Sequence, residues 1–244
     1  MSYRFRKGES LGPAVRRILL EELDAARVEL VTAVTDADAL HEVRKRIKRM
    51  RALLRLGRDA VVRLGGREED LVLRNVGRML AAHREADALI EILQLEASAA
   101  GAADLRLLED TVRLNQVARA PLRRREAEVA RARRLLGGLR RRVARWMPGM
   151  LLRKDCLRRL RRSYRRARDL WWVTVSDPTD ENLHEWRKHT KILLNQLRLV
   201  RGFASDGLLR YRTSLADIDN RLGQARDAAH LAGILRGVPV AEIP

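Results

Sequence analysis

Apolar residues recur along most of the chain at intervals of three and four, the spacing that places them on one face of a helix. The first such segment, residues 11–34, has its apolar positions at this spacing throughout. Thr35 and Asp36 are candidate caps for a second helix over residues 36–64, which Gly65 and Gly66 end. Val and Ile do not alternate with polar residues as they would in strands. The pattern predicts an all-α fold.

The remaining segments are also helical in pattern and are separated by turn signals. We expect a helix over residues 68–99 with a bend around Gly77, and a helix that begins near residue 104. Farther along the chain we expect a helix that runs through Trp172, a helix over 181–200 and a helix over 207–235. Gly137-Gly138 and Pro148-Gly149 are expected to interrupt the helices of the third quarter. Residues 176–180 combine Ser, Asp, Pro and Thr, which is typical of a loop and a helix start.

Two pairs of stretches match each other. Residues 36–48 match 180–191 with His41 and His184 in register, and residues 80–89 resemble 222–231. The offsets within the two pairs are 143 and 142 residues, a coincidence that chance would rarely produce. The sequence predicts one domain over 1–244. It consists of two pseudo-two-fold-related helical halves, 1–145 and 146–244, with a basic cleft or pore between them.

The first repeated helix carries a cationic row. When His41 is placed at zero on a helical wheel, the apolar stripe of this helix spans about 180–260° and its basic residues span about 280–340°. The basic row therefore borders the buried stripe. The row of the first helix consists of Arg44, Lys48, Arg51 and Arg55, and that of the second of Arg187, Lys191 and Arg198 beside His184. Lys45 and Lys188 flank the histidines.

No acid lies within either row, and cations stacked about one helical turn apart repel each other. An anion with many charged oxygens would relieve that repulsion, because each arginine fork can take two oxygens. The alternative is a boundary stripe whose arginine stems cover the edge of the core. Recurrence of the same His, Arg and Lys positions in both halves favours binding.

The net charge of +19 is concentrated in one region. Residues 119–168 contain 20 Lys and Arg against three acids, a balance of +17. Such a run attracts polyanions, although a solvated helix face is the alternative. Within it, Arg158, Arg161, Arg165 and Arg168 form one helical stripe, which is a second candidate for lining a groove.

Catalytic and membrane functions find no support in the sequence. There is no Walker loop, no nucleophile elbow and no carboxylate pair placed to hold a metal ion. The histidines lack the spacing of metal ligands, and the single Cys156 is expected in the core. No apolar run approaches the roughly 20 residues of a membrane span, and the start lacks a signal-peptide pattern. We expect a cytoplasmic protein without metal or cofactor and without a membrane partner.

The duplicated pattern His-x-x-Arg-x-x-x-Lys, with further arginines downstream, resembles the CHAD family of conserved-histidine α-helical domains. The resemblance extends to the Leu-x-x-x-Arg-[Asp/Glu] element of each half and to the opening Phe5-Arg-Lys-Gly-Glu-Ser-Leu. It implies non-catalytic binding of inorganic polyphosphate in a basic cleft or pore, and association with polyphosphate granules. Leu194 stands where the first half has Arg51, so the second helix is expected to contribute one contact fewer.

The predicted polyphosphate-binding residues combine both rows, the two late arginines and one residue of the basic run. They are His41, Arg44, Lys45, Lys48, Arg51, Arg55, Arg84, Arg165, His184, Arg187, Lys188, Lys191, Arg198 and Arg226. DNA or RNA is the alternative partner. Single-strand binders interleave aromatic residues with basic ones, however, and the two rows contain none. A polyphosphate hydrolase is the third alternative, and it lacks metal-holding carboxylates.

Overall fold

The computed structural model describes residues 3–81, 83 and 122–236, without the side chains of residues 122, 123, 209 and 225–236. This part of the chain forms helices and turns, with no strand. Its helices are α1 (Leu11–Glu29), α2 (Ala37–Leu56), α3 (Arg58–Val61), α4 (Gly66–Met79), α5 (Leu122–Ala144), α6 (Arg153–Ser176), α7 (Asp180–Val200) and α8 (Asp206–Arg236), with a 3₁₀ helix at Val62–Leu64. The predicted all-α fold is confirmed. The helices expected over 84–99 and from 104 lie outside the described residues.

The two helices that carry the repeated motif begin at side-chain caps. Asp36 accepts a hydrogen bond from the Ala39 N–H at 3.0 Å, and Thr179 accepts one from the Asn182 N–H at 3.3 Å. Each cap satisfies one backbone donor that the first helical turn leaves open. Gly65, with φ of 82°, separates the 3₁₀ helix from α4 in a conformation that favours glycine. The sequence signals at both helix starts and at Gly65 were therefore correct. The single helix expected over 36–64 is wrong, because α2 ends at Leu56 and Gly57 separates it from α3.

The expected interruption at Gly137-Gly138 is wrong, because α5 runs through both glycines. Gly137 is buried, and a Cβ there would lie 4.0 Å from Arg27 Nε of α1. Glycine lowers helix propensity but allows close packing, and here packing against α1 decides the outcome. Pro148-Gly149 does lie between helices, as predicted. The helix expected over 68–99 is interrupted close to Gly77, because α4 ends at Met79 and Leu80 lies in a turn.

Helices α2 and α7 are the central pair of the described structure. Helix α2 packs against α1, α4 and α7, while α7 packs in addition against α6 and α8. Helix α5 completes the other side of α1 and α4. The buried apolar residues of these helices form one continuous aliphatic core, which includes Cys156. The two motif-bearing helices therefore lie in contact at the centre of the molecule.

Arginines of the basic run 119–168 tie helices together. The Arg142 guanidinium binds Glu69 of α4 at 2.6 and 2.7 Å, and Glu69 is only 4% exposed. Arg140 pairs with Asp24 of α1, and Arg159 pairs with Asp59. Arg125 donates to the Ala33 carbonyl at 3.0 Å. Part of the basic run therefore serves the fold.

Candidate functional site

A cleft of about 450 Å³ opens between α2, α4 and α7. Its described lining contains nine Lys and Arg side chains and no Asp or Glu. The lining residues are Arg44, Ile47, Lys48, Arg51, Arg55, Leu73, Arg74, Gly77, Arg78, Ala81, His184, Arg187, Lys188, Lys191, Ile192 and Asn195. The apolar members belong to the edge of the core, so the cations stand between the core and solvent, as expected for rows that border the apolar stripes.

The structure brings eight of the fourteen predicted residues together in this cleft. These are Arg44, Lys48, Arg51, Arg55, His184, Arg187, Lys188 and Lys191. Each helix contributes four, and the contact between α2 and α7 brings the two sets together. The periodicity of the two helices thus identified side chains that share one cleft, although their sequence positions differ by more than a hundred residues.

Two cleft arginines were missed by the sequence reasoning. Arg74 and Arg78 lie on α4, spaced by four residues and therefore on one helix face. Both lie beside Leu73 and Gly77, which also line the cleft. These arginines border the apolar face of α4, just as the cations of the α2 row border the apolar stripe of α2. That position could have identified them, but α4 lacks the duplicated motif.

The cations of the cleft are partly neutralised from outside their own rows. Arg51 Nε lies 2.8 Å from Asp70 of α4, and Lys191 Nζ lies 3.4 Å from Asp219 of α8. Within α7, Lys188 pairs with Glu185 at 2.6 Å. The expectation that no acid relieves the rows is therefore corrected. Asp70 and Asp219 lie on other helices, and the wheel of a single helix does not show them.

Other cations of the cleft have no carboxylate within 4.0 Å among the described residues: Lys48, Arg55, Arg74 and Arg187. Lys48 is an exposed residue whose side chain stands among the other cations of the cleft. Loss of hydration, followed by the charges of Lys191, Arg44 and Arg187, lowers the pKa of Lys48 to about 7. Burial and the charge of Arg51 also lower the pKa of Arg55. These shifts mark the centre of the cleft as a site of unrelieved positive potential.

Two arginines are held in place by close backbone contacts. Arg44 Nη1 donates to the Gly77 carbonyl at 2.9 Å. A Cβ at Gly77 would lie 3.3 Å from Ile47 Cγ2, so glycine lets α4 approach α2 closely. Opposite, a Cβ at Gly223 would lie 3.2 Å from Arg187 Nη2. The buried Arg187 Nε has no hydrogen-bond partner in the described structure. Arg187 therefore retains an unused donor in the cleft wall.

The other predicted residues do not line this cleft. Lys45 and Arg198 line a separate pocket, and Lys45 pairs there with Glu42. Arg165 is exposed on α6 and lines neither of these two pockets, so its binding role stays a prediction. His41 is half-buried and in contact with other residues, outside the cleft lining. Arg84 and the Arg226 side chain lie outside the described residues.

The groups considered for other chemistry occupy structural positions. Cys156 is buried in the core, and burial raises the pKa of its thiol to about 12, which suppresses the reactive thiolate. Across the described residues, no three His, Cys, Asp or Glu side chains are grouped closely enough to hold a metal ion. No helix in that part of the chain is both long and apolar enough to cross a membrane.

Comparison with known proteins agrees with this architecture. The family model described as "CHAD domain" matches residues 17–236, which include both motif-bearing helices. The chain belongs to the CHAD domain family. A crystal structure of the CHAD domain from the plant Ricinus communis is similar to it, with a TM-score of 0.69 and 21% sequence identity. That match covers 96% of this chain and 81% of the other, and it establishes the shared fold. No curated protein matched the sequence.

Proposed function

We propose that this CHAD domain binds inorganic polyphosphate, without catalysis, in the cleft between α2, α4 and α7. One observation carries the proposal: among the described residues, nine Lys and Arg side chains and no carboxylate line a single cleft. A cleft of this kind concentrates positive potential and attracts anions. The resemblance to the CHAD family in its motif residues points to the same ligand.

The shape of the cationic set favours an extended anion over a single phosphate. The row on α2 runs from Arg44 to Arg55, eleven residues apart, or roughly 16 Å along the helix axis at 1.5 Å per residue. Row positions recur at about one helical turn, and α7 supplies a facing set. A chain of linked phosphates presents charged oxygens at successive positions and can engage several of these side chains at once.

One feature of the cleft lining supports polyphosphate over nucleic acid, and a second supports binding over hydrolysis. Its described lining includes no Phe, Tyr or Trp, so bases would find no aromatic stacking surface. The lining also includes no carboxylate that could hold a divalent ion, which supports binding without hydrolysis.

Binding of DNA or RNA is favoured by one observation elsewhere on the molecule. Trp172 is 61% exposed on α6, on the helix face that also carries the exposed Arg161, Arg165 and Arg168. An exposed aromatic residue in line with arginines fits a strand of stacked bases. This second candidate uses a surface that is distinct from the cleft.

A competition measurement separates the two functions. Labelled long-chain polyphosphate is bound to the protein and displaced by unlabelled long-chain polyphosphate, tripolyphosphate or single-stranded DNA. The proposal predicts displacement by long-chain polyphosphate at the lowest concentration of phosphate groups. Displacement by DNA at equal or lower concentration, together with loss of DNA binding in Trp172→Ala, would support the alternative.

A further inference from the structure

A second basic pocket, of about 620 Å³, lies between residues 3–4, α2, the end of α7 and α8. Seven of its nine described lining residues are Arg or Lys, and the other two are Tyr3 and Glu22. None of the nine lines the cleft described above. The second pocket is therefore a separate concentration of positive charge.

The charge of the second basic pocket is unevenly compensated. Glu22, its one carboxylate, lies 3.2 Å from Arg46 and 3.8 Å from Arg49, both on α2. On the opposite wall, Arg198, Arg201 and Arg212 have no carboxylate within 4.0 Å among the described residues. Arg198 donates to Asn195 Oδ1 at 3.2 Å. Burial, and then the charge of Arg49, lower the pKa of Arg198. The α7–α8 wall thus presents arginines without an anion.

The walls of the pocket are held in place by contacts that do not involve Arg198, Arg201 or Arg212. The Tyr3 hydroxyl donates to the Arg49 carbonyl at 2.7 Å, and the Arg49 guanidinium stacks over the Tyr3 ring at 5.8 Å. The Phe5 N–H donates to the Leu199 carbonyl at 2.9 Å, next to Arg198. The N-terminal segment is thereby anchored to both α2 and α7. Such anchoring lowers the entropic cost of binding because the pocket exists before the ligand arrives.

We propose that the second basic pocket is a separate binding site for phosphate groups, of the size of an inorganic oligophosphate. Six of its seven cations are arginines, whose planar forks match phosphate oxygens in pairs. The anion would sit against Arg198, Arg201 and Arg212 and supply the negative charge that this wall lacks. This inference rests on the pocket alone and does not require polyphosphate in the cleft.

Calorimetric titration of the full chain with inorganic tripolyphosphate tests the second site, with ATP in a parallel titration. We expect two tripolyphosphate ions per chain. Arg201→Gln/Arg212→Gln should weaken one site at least tenfold and leave the other unchanged, while Arg187→Ala/Lys191→Ala should do the reverse. Binding of tripolyphosphate and ATP with similar affinity at this site means that only phosphate groups are read. Weaker ATP binding assigns the site to inorganic chains.

Three results would overturn parts of this assignment. One ion per chain, unaffected by Arg201→Gln/Arg212→Gln, rejects the second site and leaves polyphosphate binding in the cleft intact. One ion per chain, lost only in Arg201→Gln/Arg212→Gln, supports the second site and shows that the cleft does not bind tripolyphosphate, which leaves its binding of long chains to the competition measurement. If the exposed control pair Arg133→Gln/Arg134→Gln weakens tripolyphosphate binding as much as Arg201→Gln/Arg212→Gln does, the second site is rejected, because net charge alone then explains binding. Circular dichroism verifies that each variant keeps its helices.

Discussion

Lys191 of α7 lies 3.4 Å from Asp219 of α8, and this carboxylate is only 8% exposed. Asp219 Oδ1 is buried without a hydrogen-bond partner among the described residues. The charge of Asp219 also acts on Lys48 in the cleft and on Arg198 in the second basic pocket. Asp219 is therefore a resident negative charge beside both concentrations of cations, and it opposes the entry of an anion.

Asp219→Asn should bind long-chain polyphosphate more tightly, by about tenfold, which is about 1.4 kcal/mol. The change keeps the shape of the side chain and removes the charge that offsets Lys191. Fluorescence titration at constant salt measures the affinity. Asp217→Asn is the matched control, because it removes one charge from an exposed position of the same helix. Equal effects of the two substitutions, or weaker binding by Asp219→Asn, would contradict the assigned role.

Polyphosphate affinity should fall as pH rises from about 7 to 9. In the free protein the pKa of Lys48 is lowered to about 7, so most Lys48 side chains are neutral above that pH. A bound polyanion favours the charged form and raises this pKa, so binding takes up a proton at pH 8. Well below pH 7 the lysine is already charged in the free protein and its contribution is complete. Calorimetry in buffers of different ionisation enthalpy measures the uptake.

Lys48→Met is the control for this pH dependence. The variant should bind more weakly at pH 6.5 and should lose its share of the proton uptake at pH 8. Proton uptake that is the same in Lys48→Met as in the unmodified protein would show that another group titrates on binding.

Arg142→Ala should lower the free energy of unfolding by about 2–3 kcal/mol, because it leaves the buried Glu69 without its ion-pair partner. Urea denaturation followed by circular dichroism measures this change. Arg141→Ala, at an exposed neighbouring position without such a partner, should change stability by less than about 0.5 kcal/mol. Equal stability of the two variants would mean that the Arg142–Glu69 pair does not hold α5 to α4.

Affinity should rise with polyphosphate chain length and fall steeply with salt. A longer chain engages cations on both α2 and α7, which adds effective concentration, and each neutralised phosphate releases counterions. Titrations with chains of increasing length at several salt concentrations measure both effects. Equal affinity for tripolyphosphate and long chains would argue against a site shared by the two helices.

Helical periodicity predicted the α2 row because all four of its cations border one apolar stripe on a single capped helix. The same reasoning could not locate the neighbouring helices. Asp70 and Asp219 neutralise Arg51 and Lys191 from other helices, at sequence separations that no wheel displays. Lys45 and Arg198 were assigned to the cleft, yet they line the second basic pocket. The helical wheel gives the angular positions of Lys45 and Arg198 on their helices. It does not give the point at which α2 and α7 cross, which decides which pocket each side chain lines.

The basic run 119–168 shows a second limit of sequence reasoning. Its charge indicated a surface for polyanions, but Arg140, Arg142 and Arg159 form ion pairs with Asp24, Glu69 and Asp59. The partners lie 73 to 116 residues away in sequence, so local composition could not reveal the pairs. Some positive charges of this run therefore form ion pairs between helices, while others lie on the solvent-exposed surface.

The most direct test of the cleft compares its cations with solvated ones. Arg44→Ala/Lys48→Ala and Arg187→Ala/Lys191→Ala each remove two cations that stand beside the core, where ionic hydrogen bonds are stronger than in solvent. Arg133→Ala/Arg141→Ala removes the same charge from exposed positions on α5. We predict that each cleft variant loses about 1.5–3 kcal/mol of polyphosphate binding at physiological salt and keeps its helices. The control should lose less than about 1 kcal/mol. A control as damaging as the cleft variants would contradict the account, because binding would then follow net charge rather than the cleft.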